Sequence, residues 1–308
     1  MTLRVGFIGL GTMGTGMAKR LAGAGFPLAV ATRSFDKARA FAAEAGGSVR
    51  AFASPEEVAR ESELVVSCLP DAPQVEEVHL GPRGTAKGLR RGAVAVDSST
   101  IAPDAAVSIA GRMRDAGLAF LDAPVSGGQK GAQEGTLTFF VGGEAAALET
   151  ARPALAAMGK RITHLGPSGA GQLGKAVNQI AVAGGLAAVS EALAFAKKSG
   201  LPLETLHEAL MGGAAASWMM DVLGKKMIAR DFQPAFAIKH QQKDLAIVLR
   251  AAREKGVPLP AVALVHQLLS ALEAQGRGEE GTQALLTLYE QMSSPPLQPF
   301  PPRGEREG

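Results

Sequence analysis

Three stretches of the chain carry residues whose types and spacing suit chemistry. The first is Gly9-Leu10-Gly11-Thr12-Met13-Gly14, a G-x-G-x-x-G close behind the apolar run Leu3 to Ile8. Gly9 permits a tight turn, Gly11 lets a bare backbone approach a pyrophosphate, and Gly14 allows the following helix to pack on the strand. The helix start then offers free N–H groups and a partial positive charge to phosphates. A strand before, a helix after and a second strand beyond make this a dinucleotide site rather than a glycine-rich turn. The second stretch is Ser126-Gly127-Gly128, with a hydroxyl and backbone N–H groups that could turn toward a carboxylate; by itself it also reads as a sheet-edge turn. The third is Gly171 to Gln179, where Lys175 stands in an apolar helical pattern and Asn178, three residues on, shares its helix face. A lysine there is costly unless its charge is used or its proton affinity is lowered. Read alone, such a lysine is more often a snorkelling side chain with its head in water.

The end of the second strand bears on which dinucleotide binds. An NAD site usually carries an acid there to accept from the ribose 2′-OH. This chain reads Thr32-Arg33-Ser34, with no acid before Asp36. Arg33 could pair with a 2′-phosphate, helped by the Thr32 and Ser34 hydroxyls. NADP(H) is therefore favoured, with NAD(H) possible.

These residues need elements to hold them. Candidate strands lie at 3–8, 27–32, 48–51, 63–68, 93–97 and 118–122, with helical patterns at 13–24, 35–45, 55–60, 73–79 and 103–115. That alternation predicts an α/β, doubly wound, mostly parallel sheet of the Rossmann type. A further strand pair, 137–141 and 162–164, brackets a helix at 144–157. From Gly169 the pattern is helix only: 170–199, 203–211, 217–229, 238–255, 260–274 and 281–291. The first of these is apolar nearly all round, which predicts burial inside a domain or at a subunit interface, with Gly184-Gly185 at a close helix contact. The expected organisation is a dinucleotide-binding domain at 1–165, an all-helical substrate and oligomerisation domain at 166–292, and a Pro-rich tail at 293–308.

Composition removes other classes. With 46% hydrophobic and 20% charged residues, the 308-residue chain has ample material for a core. Its net charge of +3 comes from Lys and Arg scattered among acids, which suits small anionic ligands and not nucleic acid. The lone cysteine, Cys68, excludes a disulfide within the chain and reads as a small buried hydrophobe. None of the five histidines stands in metal-ligand spacing, so no metal is expected. No signal peptide and no apolar stretch of about 18 residues stand out, so a cytoplasmic protein without a membrane span is expected.

The sequence resembles the β-hydroxyacid dehydrogenases, from Val5 to about Tyr289. The likeness rests on four motifs in order: Phe7 to Gly14, Asp122-Ala123-Pro124-Val125-Ser126-Gly127-Gly128, Gly171 to Gln179, and Lys243-Asp244-Leu245. The resemblance implies an NAD(P)-dependent enzyme that interconverts a short 3-oxo acid and its 3-hydroxy acid. It implies that Lys175 is the general acid/base, that Asn178 orients the substrate oxygen, and that Ser126 to Gly128 bind substrate. Leu69, Pro70, Thr100 and Lys243 would contact the cofactor. Gln179, where many relatives have Asn, resembles the tartronate semialdehyde reductase branch and is expected at the substrate. Alternatives are 3-hydroxyisobutyrate dehydrogenase, a succinic or glyoxylic semialdehyde reductase, and, outside enzymes, a dinucleotide sensor. A homodimer or homotetramer is the assembly that the resemblance implies.

Overall fold

The computed structural model describes residues 3–293, so nearly all of the expected tail lies outside the described residues. The chain divides into two compact units, Met1–Ala181 with His240–Ala263, and Val182–Lys239 with Leu264–Gly308.

The first unit is built on a parallel sheet. In chain order its elements are β1 (Val5–Ile8), α1 (Thr12–Gly23), β2 (Leu28–Ala31), α2 (Phe35–Ala45), β3 (Val49–Ala51) and α3 (Pro55–Arg60). Then follow β4 (Leu64–Ser67), α4 (Ala72–Leu80), α5 (Thr85–Gly88), β5 (Val94–Asp97), α6 (Pro103–Asp115) and β6 (Ala119–Asp122). Next come β7 (Val125–Ser126), α7 (Gly128–Glu134), β8 (Leu137–Gly142), α8 (Ala145–Met158) and β9 (Gly159–Gly166). The order is β3-β2-β1-β4-β5-β6-β8-β7, with β9 paired to β8. All pairs from β3 to β6 are parallel, and β8 runs antiparallel to β6 and β7.

The strands are apolar along their length because both faces are covered. Successive side chains alternate between two cores. Phe7, Val30, Val66 and Val96 meet Met17, Leu21 and Leu155 on one face. Ile8, Ala29, Val65 and Ala95 meet Val58, Ile109 and Met113 on the other. The strand order reverses between β1 and β4, and the crevice beyond the carboxyl ends of strands at such a reversal is where α/β sheets bind ligands.

Two short helices and one strand, α5, α7 and β7, are absent from the pattern reading. The segment read as a turn does turn at Gly127 (φ +129) and Gly128 (φ +61), but it closes a two-residue strand and opens α7. Glycines within α7 obscure its helical character, and Gly16 of α1 lets the two helices lie close: a Cβ added at Gly16 would come within 3.0 Å of the Ala132 carbonyl carbon.

Beyond β9 the regular structure among the described residues is helical, apart from an isolated antiparallel bridge between Ala237 and Gly281. The helices are α9 (Ala170–Lys198), α10 (Leu203–Met211), α11 (Lys225–Ile228), α12 (Ile238–Glu254), α13 (Pro260–Ala274) and α14 (Leu285–Met292). A π-helical segment, Met219–Gly224, leads into α11, and a 3-10 turn, Thr282–Ala284, leads into α14. Of the glycine pair in α9, Gly185 makes the close contact, where a Cβ would stand 3.0 Å from Met219 Cγ, while Gly184 faces open space.

Helix α9 corrects one expectation. By length and composition it is apolar enough to cross a membrane, with a mean hydropathy of 1.5 over its best window, against the expectation that the chain holds no such stretch. Scattered polar residues interrupt the run to the eye but leave its mean high enough for a spanning helix. Within the chain 44% of that window is buried, while Val177 and Phe195 are 66% and 74% exposed, so of the two expected coverings the interior of a domain does not account for the whole helix.

Candidate active site

The glycines after β1 divide the work as their positions require. Gly9 has φ +104, and a Cβ on it would lie 2.3 Å from the Cys68 carbonyl oxygen. A Cβ on Gly14 would lie 1.8 Å from the Gly9 oxygen, so α1 can begin only with glycine there. At Gly11 a Cβ would meet nothing within 4 Å. Gly11 is also the N-cap of α1 and supplies no side-chain cap, and the first turn carries no acid. The N–H groups of that turn are thus left for an outside acceptor, an arrangement that fits a dinucleotide pyrophosphate. Of the other loop residues, Thr12 is exposed and Met13 half-buried, while Leu10 is in the core, so only its backbone can face a ligand.

Past β2, Thr32 is half-buried and Arg33 exposed, and Arg33 has no ion-pair partner among the described residues. Ser34 caps α2, accepting from the Lys37 N–H at 3.4 Å, and retains its hydroxyl proton for a further acceptor.

Behind the loops that follow β4 and β5 lies a buried polar chain with no forecast in the sequence reading. Ser67 and Ser99 both donate to Asp97 Oδ1, at 2.7 and 2.6 Å, and Ser99 Oγ accepts from the Leu69 N–H at 2.8 Å. Ser67 also meets His79 Nε2, and His79 Nδ1 meets Thr85 Oγ1, both at 2.9 Å. Burial pushes the Asp97 carboxyl up to about 6 and the His79 imidazole down to about 4. The cluster pins the Leu69 backbone to the Ser99 loop. Lys243 of α12 ties the same two loops from outside, donating from Nζ to the carbonyls of Pro70 (3.0 Å) and Thr100. Its ammonium also lies 3.3 Å from Asp244 Oδ1. Three expected cofactor contacts, Pro70, Thr100 and Lys243, are thereby joined, with the Lys243 protons directed at protein oxygens.

Helix α9 is anchored by the first residue of the Asp122-to-Gly128 segment. The buried Asp122 carboxylate accepts from the N–H groups of Gly169 (2.8 Å) and Gln172 (2.9 Å), capping the helix. Gln172 carries the anchor on, accepting from the Ile101 N–H at 3.1 Å and donating to the Ser99 carbonyl at 2.8 Å. Gln172, Lys175 and Gln179, spaced three and then four apart, form one polar stripe along the helix, and all three are buried. That stripe was readable in the sequence and marks the face that matters.

Lys175 is 7% exposed, and its Nζ makes no hydrogen bond among the described residues. Burial lowers its proton affinity from the ordinary lysine range; the Asp244 carboxylate works the other way, and the Lys243 charge adds to the lowering. Gln179 Nε2 donates to Asp244 Oδ2 at 2.7 Å, and Gln179 Oε1 accepts from Asn178 Nδ2 at 2.9 Å. Both ends of the Gln179 amide, expected at the substrate, are thus engaged within the protein. Ser126, Gly127 and Gly128 take no part in these hydrogen bonds; Ser126 pairs with Thr138 of β8, next to Phe140, on which Gly174 of α9 packs. Among the described residues, no group of three or more His, Cys, Asp or Glu could hold a metal ion.

Known proteins match this chain over most of its length. A family model described as the NAD binding domain of 6-phosphogluconate dehydrogenase matches residues 4–166. A second, described as NAD-binding of NADP-dependent 3-hydroxyisobutyrate dehydrogenase, matches residues 169–289. The 2-hydroxy-3-oxopropionate reductase of Escherichia coli (strain K12) is 40% identical over 95% of this chain and 99% of its own. The chain belongs to the β-hydroxyacid dehydrogenase family. A crystal structure of 3-hydroxyisobutyrate dehydrogenase from Salmonella typhimurium superposes with a TM-score of 0.83 at 30% identity, covering 93% of this chain and 99% of that one. Psf3 in complex with NADP+ and 2-OPP gives a TM-score of 0.84 at 26% identity, covering 92% and 99%. This β-hydroxyacid dehydrogenase is accordingly an NAD(P)-dependent oxidoreductase acting on a hydroxyl group, of the 3-hydroxyisobutyrate dehydrogenase and tartronate semialdehyde reductase type. The glycine loop and the free first turn of α1 belong to its NAD(P)-binding part.

Proposed function

We propose that this enzyme interconverts tartronate semialdehyde and glycerate, using NADP(H) in preference to NAD(H). The observation that carries the reading is the buried Lys175 ammonium, which has no hydrogen-bonded partner among the described residues and a lowered proton affinity. Such a group is poised to give a proton to an oxygen beside it. When bound, the reduced nicotinamide supplies the hydride that the aldehyde carbon accepts. Lys175 gives its proton to the aldehyde oxygen as that oxygen gains charge, and takes one back in the oxidative direction. Ser126 and the backbone of Gly127 and Gly128 hold the carboxylate, and Asn178 orients the substrate. Similarity to the Escherichia coli 2-hydroxy-3-oxopropionate reductase supports the choice of substrate.

Arg33 supports the choice of cofactor, since it stands exposed beside the end of β2 without an ion-pair partner among the described residues. The test is oxidation of NADPH and of NADH by the purified protein with tartronate semialdehyde and with methylmalonate semialdehyde. The expected result is fastest turnover of tartronate semialdehyde with NADPH. Arg33→Ala should weaken NADPH about 10-fold or more and leave NADH unchanged, as for loss of a charge-assisted phosphate contact. An equal effect on both cofactors would remove Arg33 from that role.

The assembly we propose is a homodimer or homotetramer, because α9 exposes Val177 and Phe195 although its pattern is that of a covered helix. Light scattering on the eluting protein should give two or four times the chain mass, and Phe195→Lys should shift it toward the monomer. A wild-type monomer at micromolar concentration would end that reading.

A further inference from the structure

The hydrogen bonds along α9 have a direction, and it is set from α12. An ionised carboxylate has only acceptors to offer, so Asp244 Oδ2, 2.7 Å from Gln179, must receive an N–H. Gln179 therefore turns its amide nitrogen to Asp244 and its oxygen to Asn178. That oxygen is again only an acceptor, so Asn178 must in turn present its nitrogen, at 2.9 Å. One negative charge thus orients two amides in series, and neither can flip alone without setting oxygen against oxygen or nitrogen against nitrogen. At the far end the Asn178 Oδ1, the sole acceptor of that side chain, has no hydrogen-bond partner among the described residues, and Asn178 as a residue is half-buried. Asn178 lies on the same helix and within one turn of Lys175.

We infer that Asp244, acting through Gln179, fixes Asn178 with its Oδ1 toward the ligand, and so selects acids that carry a hydroxyl beside the reacting carbon. The inference rests on the reading that Lys175 and Asn178 face the substrate, and deepens it by naming what Asn178 recognises. A hydroxyl there donates to Oδ1. A methyl in its place would strip water from Oδ1 and return nothing, and sites built around such a hydrogen bond discriminate strongly against the analogue lacking it. Gln179 is then a positioning residue, touching Asn178 and Asp244 and not the substrate.

The test uses two stable dicarboxylates that differ as hydroxyl against methyl, tartronate and methylmalonate, bound to the full-length protein saturated with NADP+ and followed by calorimetry. The wild type should prefer tartronate about 10-fold or more. Gln179→Met breaks the relay without adding charge, and Asn178→Ala removes its end; each should cut the preference to about 2-fold, and the double variant should fall no further than Asn178→Ala alone. Should the methionine variant fail to fold, Gln179→Asn keeps the amide and falls one methylene short of Asp244. A wild type without preference, a Gln179 variant that retains it, or additive losses would each overturn the relay. Turnover of the two semialdehydes decides the reaction separately: tartronate preference without turnover retains the relay and removes the reaction, whereas turnover without preference does the reverse.

Discussion

Lys175→Ala should lower kcat for semialdehyde reduction about 100-fold or more while leaving the dissociation constant for NADPH unchanged, as expected when a general acid is removed. That factor corresponds to about 2.7 kcal/mol of transition-state stabilisation. The cofactor loop, Gly9 to Gly14, runs from the end of β1 into the first turn of α1, so the substitution on α9 has no route to cofactor affinity through it. Nor should the fold suffer greatly, since the side chain lost is a buried ammonium without a hydrogen bond among the described residues. The pH profile gives an independent check. In reduction Lys175 acts in its protonated form, so the rate declines as pH rises through its pKa. Burial places that decline below the 10.5 of an ordinary lysine. The Asp244 charge favours the ammonium, so Asp244→Asn should move the alkaline limb to still lower pH. In oxidation Lys175 must be deprotonated, and the rising limb should move the same way. Turnover near wild type in Lys175→Ala, or a limb indifferent to Asp244, would remove Lys175 from the chemistry.

What could be read in the sequence was what is local. The glycine loop announces itself because Gly9, Gly11 and Gly14 act within one turn of chain, and the strands of the parallel sheet are continuous apolar runs because two cores cover them. The parts left unread depend on partners far along the chain. Asp122 caps α9 across 47 and 50 residues, and Gln179 meets Asp244 across 65, so neither pairing leaves a periodic trace. The buried chain from Thr85 through His79, Ser67 and Asp97 to Ser99 is similar: each residue looks like an ordinary strand-end or helix polar group until the sheet brings β4 and β5 side by side. Short glycine-bearing elements such as α7 fail for another reason, since propensity argues against a helix that packing on α1 imposes. The apolar pattern of α9 says that its surface is to be covered, but cannot say by what, and the exposed Phe195 shows that this chain alone leaves part of it bare.

Two of the three glycines of the phosphate loop, Gly14 and Gly11, should fail in different ways, and the contrast isolates what the cofactor needs from what the fold needs. Gly14→Ala puts a methyl 1.8 Å from the Gly9 carbonyl oxygen, a backbone atom that cannot move unless β1 and α1 separate. That variant should lose stability by several degrees in Tm or not accumulate as folded protein, in line with about 1–3 kcal/mol or more for overpacking a rigid site. Gly11→Ala meets no protein atom within 4 Å and sits at the cap of α1 with φ −77, a value any residue adopts. Its Tm should stay within about a degree of wild type, since nothing folded is displaced. The added methyl instead fills the open space before the first turn of α1, whose N–H groups no side chain caps. A pyrophosphate held by those groups needs close backbone approach, so NADPH affinity in Gly11→Ala should fall about 10-fold or more, read by fluorescence titration. If Gly11→Ala binds NADPH as tightly as wild type, the phosphates do not approach there, and the free turn of α1 has some other acceptor.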